Sequence, residues 1–425
     1  MKKILKWIGI IGGSLLLLLV ALGAYLWVFE KPSHSAPKTP PKQVAASGDK
    51  ILDSIRKGAE YLKVHQEVDG HFSKGMLDPK PAFSAMVVDA LARSPDKYTD
   101  KNHPFIKKSV EAILKYQQPD GSICSPYFPL QTYVTSVSIM ALVALENPEY
   151  QPAIDKAREY LRTAQNKEEE SMNKGGAGYS AGGKVSGDVT AMWVEAMAQS
   201  GVKEGDPAFE NAKKFFSRMQ NDPEKNKEPA PGTEVGKDGG LFYAPGKNHE
   251  KLKSEKGESG KAVLKSYGMM TYAGLKSFLY MYVDKNDSRV KSAFRWIKNN
   301  YTLEENRHLG ADGLYYYYLT MAKALAAYGE PIIETPDGVK HNWAEELSDK
   351  LISLQSPEGY WMNKQSNEWM EDDRVLVSAY AIRTLTICHE FLAKQKSLLA
   401  EPKDGEKKVA DEKPAEAPKA EPTTK

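Results

Sequence analysis

Cysteine is nearly absent, with two in 425 residues, Cys124 and Cys388. That excludes a disulfide-stapled scaffold and a cysteine-rich zinc module. An excess of either charge is also missing. Lys and Arg total 58 against 56 Asp and Glu, a net charge of +2, so the chain has no electrostatic footprint for nucleic acid. No stretch between residues 50 and 397 alternates with strand period, which leaves helices as the expected structure. HExxH does not occur. Gly178 to Val185 (GYSAGGKV) fails as a phosphate loop, because Val185 replaces the hydroxyl residue that would bind magnesium.

Long apolar runs are scarce too, and the one present is N-terminal. Lys2, Lys3 and Lys6 precede an uncharged segment from Trp7 to Phe29, about 23 residues, which at ~1.5 Å per residue spans a ~30 Å hydrocarbon core. Its exit through Tyr25, Trp27 and Phe29 suits an interfacial belt better than a small-residue cleavage site, so an uncleaved anchor is expected over a cleaved signal. The lysines predict a cytoplasmic N-terminus, a single pass and an extracytoplasmic remainder. Residues 31–49, rich in proline, read as a tether, and residues 398–425, a mix of Lys, Glu, Ala and Pro, read as a disordered tail.

Residues 50–397 are a repeat array. KGAEYLKVHQEVDGHF (57–72), KSVEAILKYQQPDGSI (108–123) and ELSDKLISLQSPEGYW (346–361) align on Gln66, Gln117 and Gln355, each with a glycine four residues on. Weaker copies centre on Gln165 and Gln220, and a degenerate sixth ends near Tyr301. After each comes a second stretch with helical spacing, such as FSAMVVDALA, DVTAMWVEAMA and VLVSAYAIRTL. Each unit therefore reads as a helical hairpin. The terminal copies are the best preserved, which favours a closed ring over an open solenoid. The insertion at 221–264, rich in Lys, Glu, Gly and Pro, reads as a long loop.

The pattern carried by Lys57, Gly58, Tyr61, Leu62, Gln66, Gly70 and Phe72, and again by Gln355, Gly359 and Trp361, resembles the QW repeat of squalene and oxidosqualene cyclases. It is also similar to the repeat of protein prenyltransferase β subunits. The resemblance implies an all-α fold, an α/α toroid of about six hairpins around a central cavity, here preceded by a single transmembrane helix. It does not imply a reaction, because one fold hosts many functions. The cyclase motif DxDDTA is met in part by MEDDRVLVSA: Asp372 and Asp373 match its last two aspartates, while Met370 replaces the first. A Glu-Asp-Asp cluster ahead of a helix also reads as an N-cap. The Asp-x-Cys and His zinc set of the prenyltransferases is absent, as is the Cys-x-Glu-Gln pattern of thioester domains. No metal and no cofactor are expected.

In such a ring the inner helices start at one mouth. Candidate catalytic residues there are Asp188 (beside Thr190), Asp372 and Asp373, and candidate ligand-binding residues are Tyr133, Trp193, Tyr267, Tyr316 and Tyr317. The same tyrosines also read as core. Whether the chain is an enzyme stays open among three readings. The first is a binding or scaffolding toroid holding a lipid-like ligand or a protein partner. The second is an isoprenoid cyclase or transferase, and the third a carbohydrate-active toroid using paired carboxylates.

Overall fold

The computed structural model describes residues 47–73, 80–124 and 130–400. The apolar segment Trp7 to Phe29, nearly all of the tether and the chain beyond Ala400 lie outside the described residues. The array forms twelve α-helices among the described residues, arranged as six hairpins. The outer helices are α1 (Lys50–Val64), α3 (Pro104–Leu114), α5 (Gln151–Ala164), α7 (Pro207–Arg218), α9 (Ser288–Asn300) and α11 (Trp343–Leu354). The inner ones are α2 (Lys80–Arg93), α4 (Gln131–Ala144), α6 (Gly187–Gln199), α8 (Gly268–Tyr280), α10 (Leu314–Tyr328) and α12 (Arg374–Ala400). Outer helices bury one stripe and expose the other. Inner helices are apolar nearly all round, because they pack on two inner neighbours and on the outer ring.

The ring closes. Each inner helix packs on the next, and α12 packs back on α2. α12 is the one described helix long and apolar enough to cross a membrane, but most of that stretch is buried and it serves as the sixth inner helix.

The repeat glutamines hold neighbouring hairpins together. Gln66 Nε2 donates to Gly70 O in its own loop (3.1 Å) and to Phe105 O at the start of α3 (2.7 Å). Gln117, Gln165 and Gln220 bond their own loop and the next outer helix in the same way. Gln355 completes the circle, donating to Gly359 O (2.9 Å) and to Ser54 O of α1 (3.0 Å), while Ser54 Oγ donates to Gln355 Oε1 (2.9 Å). The glycine four residues on is required twice over. Gly359 has φ +102°, and a Cβ there would sit 2.6 Å from Lys57 O. Trp361, fully buried, donates its indole N–H to Leu351 O (2.7 Å).

One expectation needs correcting. The loops are not free of β structure: a hairpin β1 (Ala177–Gly178) with β2 (Val185–Ser186) precedes α6. Within the insertion, β3 (Thr233–Glu234), β4 (Glu255–Lys256) and β5 (Ala262–Val263) pair in the order β3-β5-β4. β6 (Ile332–Glu334) and β7 (Lys340–Asn342) form a hairpin before α11. Strands of two or three residues are too short to register as alternation, which needs four or more. The β1–β2 hairpin also accounts for GYSAGGKV, whose glycines make a turn instead of cradling a phosphate.

Candidate functional site

The inner-helix starts form one mouth of the ring, and its wall is aromatic. Tyr133, in the first turn of α4, lies 6.2 Å ring to ring from Tyr179 at the β1 end, and Tyr179 donates its hydroxyl to Asp188 Oδ2 (3.1 Å). Tyr316 of α10 packs against Tyr380 of α12, with ring centroids 5.7 Å apart. The insertion adds His249, whose buried ring meets Tyr243, Tyr267 and Trp369 at 5.6–5.8 Å. Lys251 ties the insertion across the mouth by pairing with Asp312 and Glu368, both at 2.7 Å. Trp369 and Met370 are consecutive non-glycine residues with positive φ, 52° and 63°. That strained turn sets the Trp369 ring, 40 % exposed, at the rim beside Gly313.

Asp188 is the electrostatic centre of this wall. Its Oδ1 is buried without a hydrogen-bond partner, as is the hydroxyl of the fully buried Tyr267. Its charge, after burial itself, raises the pKa of Tyr243, Tyr267 and Tyr316, and it is the leading cause of the rise at Tyr179. All four phenols therefore stay protonated at neutral pH.

The remaining sequence candidates have other places. Thr190 Oγ1 accepts from Ala177 N (2.9 Å) and donates to Ser186 O (2.6 Å), pinning the hairpin to α6. Trp193 donates Nε1 to Leu161 O of α5 (2.8 Å) and Tyr317 donates its hydroxyl to Thr302 O (2.9 Å), so both side chains reach toward the outer ring. Asp373 caps α12 by accepting from Val375 N and Leu376 N, both at 2.8 Å, and Asp372 is exposed. The buried acid of this cluster is their neighbour Glu371. It accepts from Tyr316 N (2.8 Å) and Tyr315 N (3.2 Å) at the start of α10 and from Asn363 Nδ2 (2.9 Å). Burial outweighs these bonds and pushes its pKa up to about 7.

Below the mouth lies a layer that was not among the candidates. Asp89, Glu195, Lys276, Lys323 and Arg383 each sit eight or nine residues past the first residue of an inner helix, and Met140 holds the corresponding place in α4. At ~1.5 Å rise this is about 12–13 Å into the ring. Glu195 accepts from Lys276 Nζ and Lys323 Nζ, both at 2.6 Å, with side chains 3 %, 2 % and 10 % exposed. Arg93 donates to Asp89 Oδ1 (2.7 Å) and to Gln199 Oε1 (2.8 Å). Burial alone would raise the Glu195 carboxyl, but the two lysines outweigh it and hold it well below the usual carboxylate range. Asp89 is lowered likewise, where burial is outweighed by Arg93 and Arg383. This layer, with Met86, Met192, Tyr316 and Tyr380 above it, leaves a central cavity of about 40 Å³.

Comparison with known proteins agrees with this architecture. Residues 73–182 match the family model of the squalene-hopene cyclase C-terminal domain, so the resemblance read from the repeats holds over that segment. No curated protein matches the chain. Among solved structures, the type II terpene cyclase MstE from Scytonema aligns with TM-score 0.50 at 12 % identity, covering 80 % of this chain and 98 % of that one. An inactive variant of the α-1,6-mannanase GH76A of Salegentibacter sp. HEL1_6, in complex with α-1,6-mannotriose, aligns with TM-score 0.51 at 10 % identity, covering 80 % and 99 %. A family 76 glycoside hydrolase from a bovine Bacteroides thetaiotaomicron strain aligns with TM-score 0.50 at 9 % identity, covering 81 % and 78 %. At such identities the likeness is one of fold, and it joins a terpene cyclase and glycoside hydrolases alike.

Proposed function

We propose that this chain is a membrane-tethered, extracytoplasmic binding toroid that holds a lipid-like ligand at its aromatic mouth and performs neither zinc nor DxDD chemistry. One observation carries the reading. The ion-paired layer fills the ring, and the 40 Å³ left at the centre has room for roughly three water molecules, not for an isoprenoid chain or a sugar unit. The mouth remains as the accessible site, with several tyrosine rings and the Asp188 carboxylate in its wall. Asp372 and Asp373 do not form a reacting pair in this reading, since one caps a helix and the other faces water.

The test uses the full chain in detergent, titrated with geranylgeraniol while the fluorescence of Trp369 is followed. Saturable quenching that is lost in Trp369→Phe and weakened in Tyr316→Ala supports the proposal. Product analysis after incubation with squalene, geranylgeranyl diphosphate and α-1,6-mannotriose decides against the alternatives. Turnover of either isoprenoid would replace the proposal with the cyclase or transferase reading. Cleavage of mannotriose, abolished in Asp188→Asn, would replace it with the carbohydrate-active one. A periplasmic reporter fused after Lys425 checks topology, and a cytoplasmic signal would reverse the orientation.

A further inference from the structure

The charged layer does not balance. Four cations, Arg93, Lys276, Lys323 and Arg383, meet two carboxylates, Asp89 and Glu195, inside the ring. Both carboxylates are already engaged. Arg383 is the least satisfied cation: it pairs with Asp89 only at 3.6 Å (Nε to Oδ2), too far for a hydrogen bond, and neither Nε nor Nη1 has a hydrogen-bond partner. A guanidinium does not escape this by losing its proton, because it stays protonated in proteins. Buried charge that is only partly compensated is costly to a fold, so two carboxylates shared among four cations leave an excess of positive charge beside the cavity that asks for a counter-charge.

We infer that the centre of the ring binds a small oxyanion, a carboxylate or a phosphate group, against Arg383 and Lys323. The two residues line the same 40 Å³ cavity, which admits one group of acetate or phosphate size and excludes a diphosphate carrying a prenyl chain. Arg383 supplies guanidinium donors that have no protein hydrogen-bond partner, and Lys323 a point charge beside them. Waters alone would satisfy the donors but leave the charge. The flexible side chains of Met86, Met140 and Met192 line the rest of the cavity and can adapt to the anion that enters. This site is independent of whatever the mouth holds.

The experiment is thermal unfolding of the full chain in detergent with sodium phosphate or sodium acetate added. Ionic strength is held constant with gluconate, an anion too bulky for the cavity. The wild type should gain roughly 3 °C or more at a hundredfold excess over Kd, and the response should saturate. Phosphate active alone identifies a phosphate group, and acetate active alone a carboxylate. Arg383→Met and Lys323→Met each remove one excess cation and should lose most of the response. If Arg383→Met does not fold, Lys323→Met decides. No saturable gain in the wild type, or a gain unchanged in the variants that fold, would overturn the inference.

Discussion

Glu195→Gln is the most demanding test of the charged layer. The wild-type carboxylate bridges Lys276 and Lys323, each 2.6 Å away, and all three side chains are at least nine-tenths buried. The amide has nearly the same shape, so cavity formation does not enter. What is lost is the counter-charge of two buried ammonium groups, and removing one partner of a buried ion pair typically costs roughly 3–5 kcal/mol. Over roughly 350 folded residues, with an unfolding entropy near 2.1 cal/mol/K per residue, that corresponds to a fall in Tm of about 4–7 °C. The assay is circular dichroism at the helical band during heating of the full chain in detergent. The triple variant Glu195→Met, Lys276→Met, Lys323→Leu removes the charges together and should unfold near the wild-type temperature, because apolar replacement of a whole buried ion cluster is commonly neutral or stabilising. A Glu195→Gln protein within about 1 °C of wild type would refute the reasoning, since it would mean the lysines do not depend on the carboxylate.

Three further outcomes are expected. Gln355→Ala breaks the bonds to Ser54 and Gly359 that join the last hairpin to the first, and should cost about 2–4 kcal/mol with little effect on ligand titration at the mouth; equal losses of both would contradict its structural role. Gly359→Ala forces a left-handed φ and a 2.6 Å approach to Lys57 O, and should lower Tm more than Gly338→Ala, whose added Cβ meets nothing within 4 Å. Glu371 titrates near 7 in the fold against 4.5 ordinarily, because burial favours its neutral form. The contribution of a raised pKa is complete below about 4.5 and lost as pH rises through 7, a change of at most about 3–4 kcal/mol. The wild-type Tm should therefore fall relative to Glu371→Gln between pH 5 and 8, and parallel curves would remove the assignment.

The ring was legible because its unit is repeated. One Gln and one Gly with fixed spacing, seen at Gln66, Gln117 and Gln355, mark a bond to the next hairpin, and repetition makes the signal louder than any single element. The short ladders were illegible, since two-residue strands carry no periodicity. At the mouth, Asp188, Tyr133, Tyr267 and Tyr316 do lie together, whereas Trp193 and Tyr317 turn outward because ~100° per residue separates neighbours on one helix. Glu371 was hidden by its neighbours: in a Glu-Asp-Asp run, sequence does not tell which carboxyl is buried. The charged layer carried a signal that went unread. Five of the six inner stretches hold one ionisable residue within an apolar run, Asp89, Glu195, Lys276, Lys323 and Arg383, at the same distance from each helix start. Charges recurring in register where polar residues are costly point inward, and the repeat alignment would have lined them up.

Ring closure also sets an order of events during biosynthesis. Ser54 and Gln355 are 301 positions apart, and α2 gains its second inner neighbour only when α12 arrives. At ~5–20 residues per second, the first hairpin waits roughly 15–60 s for its last partner. Throughout that interval one apolar flank of the growing arc stays uncovered. The protein should lean on chaperones until its final helix docks, and a chain stopped before Arg374 should be recovered as aggregate, not as a shorter ring.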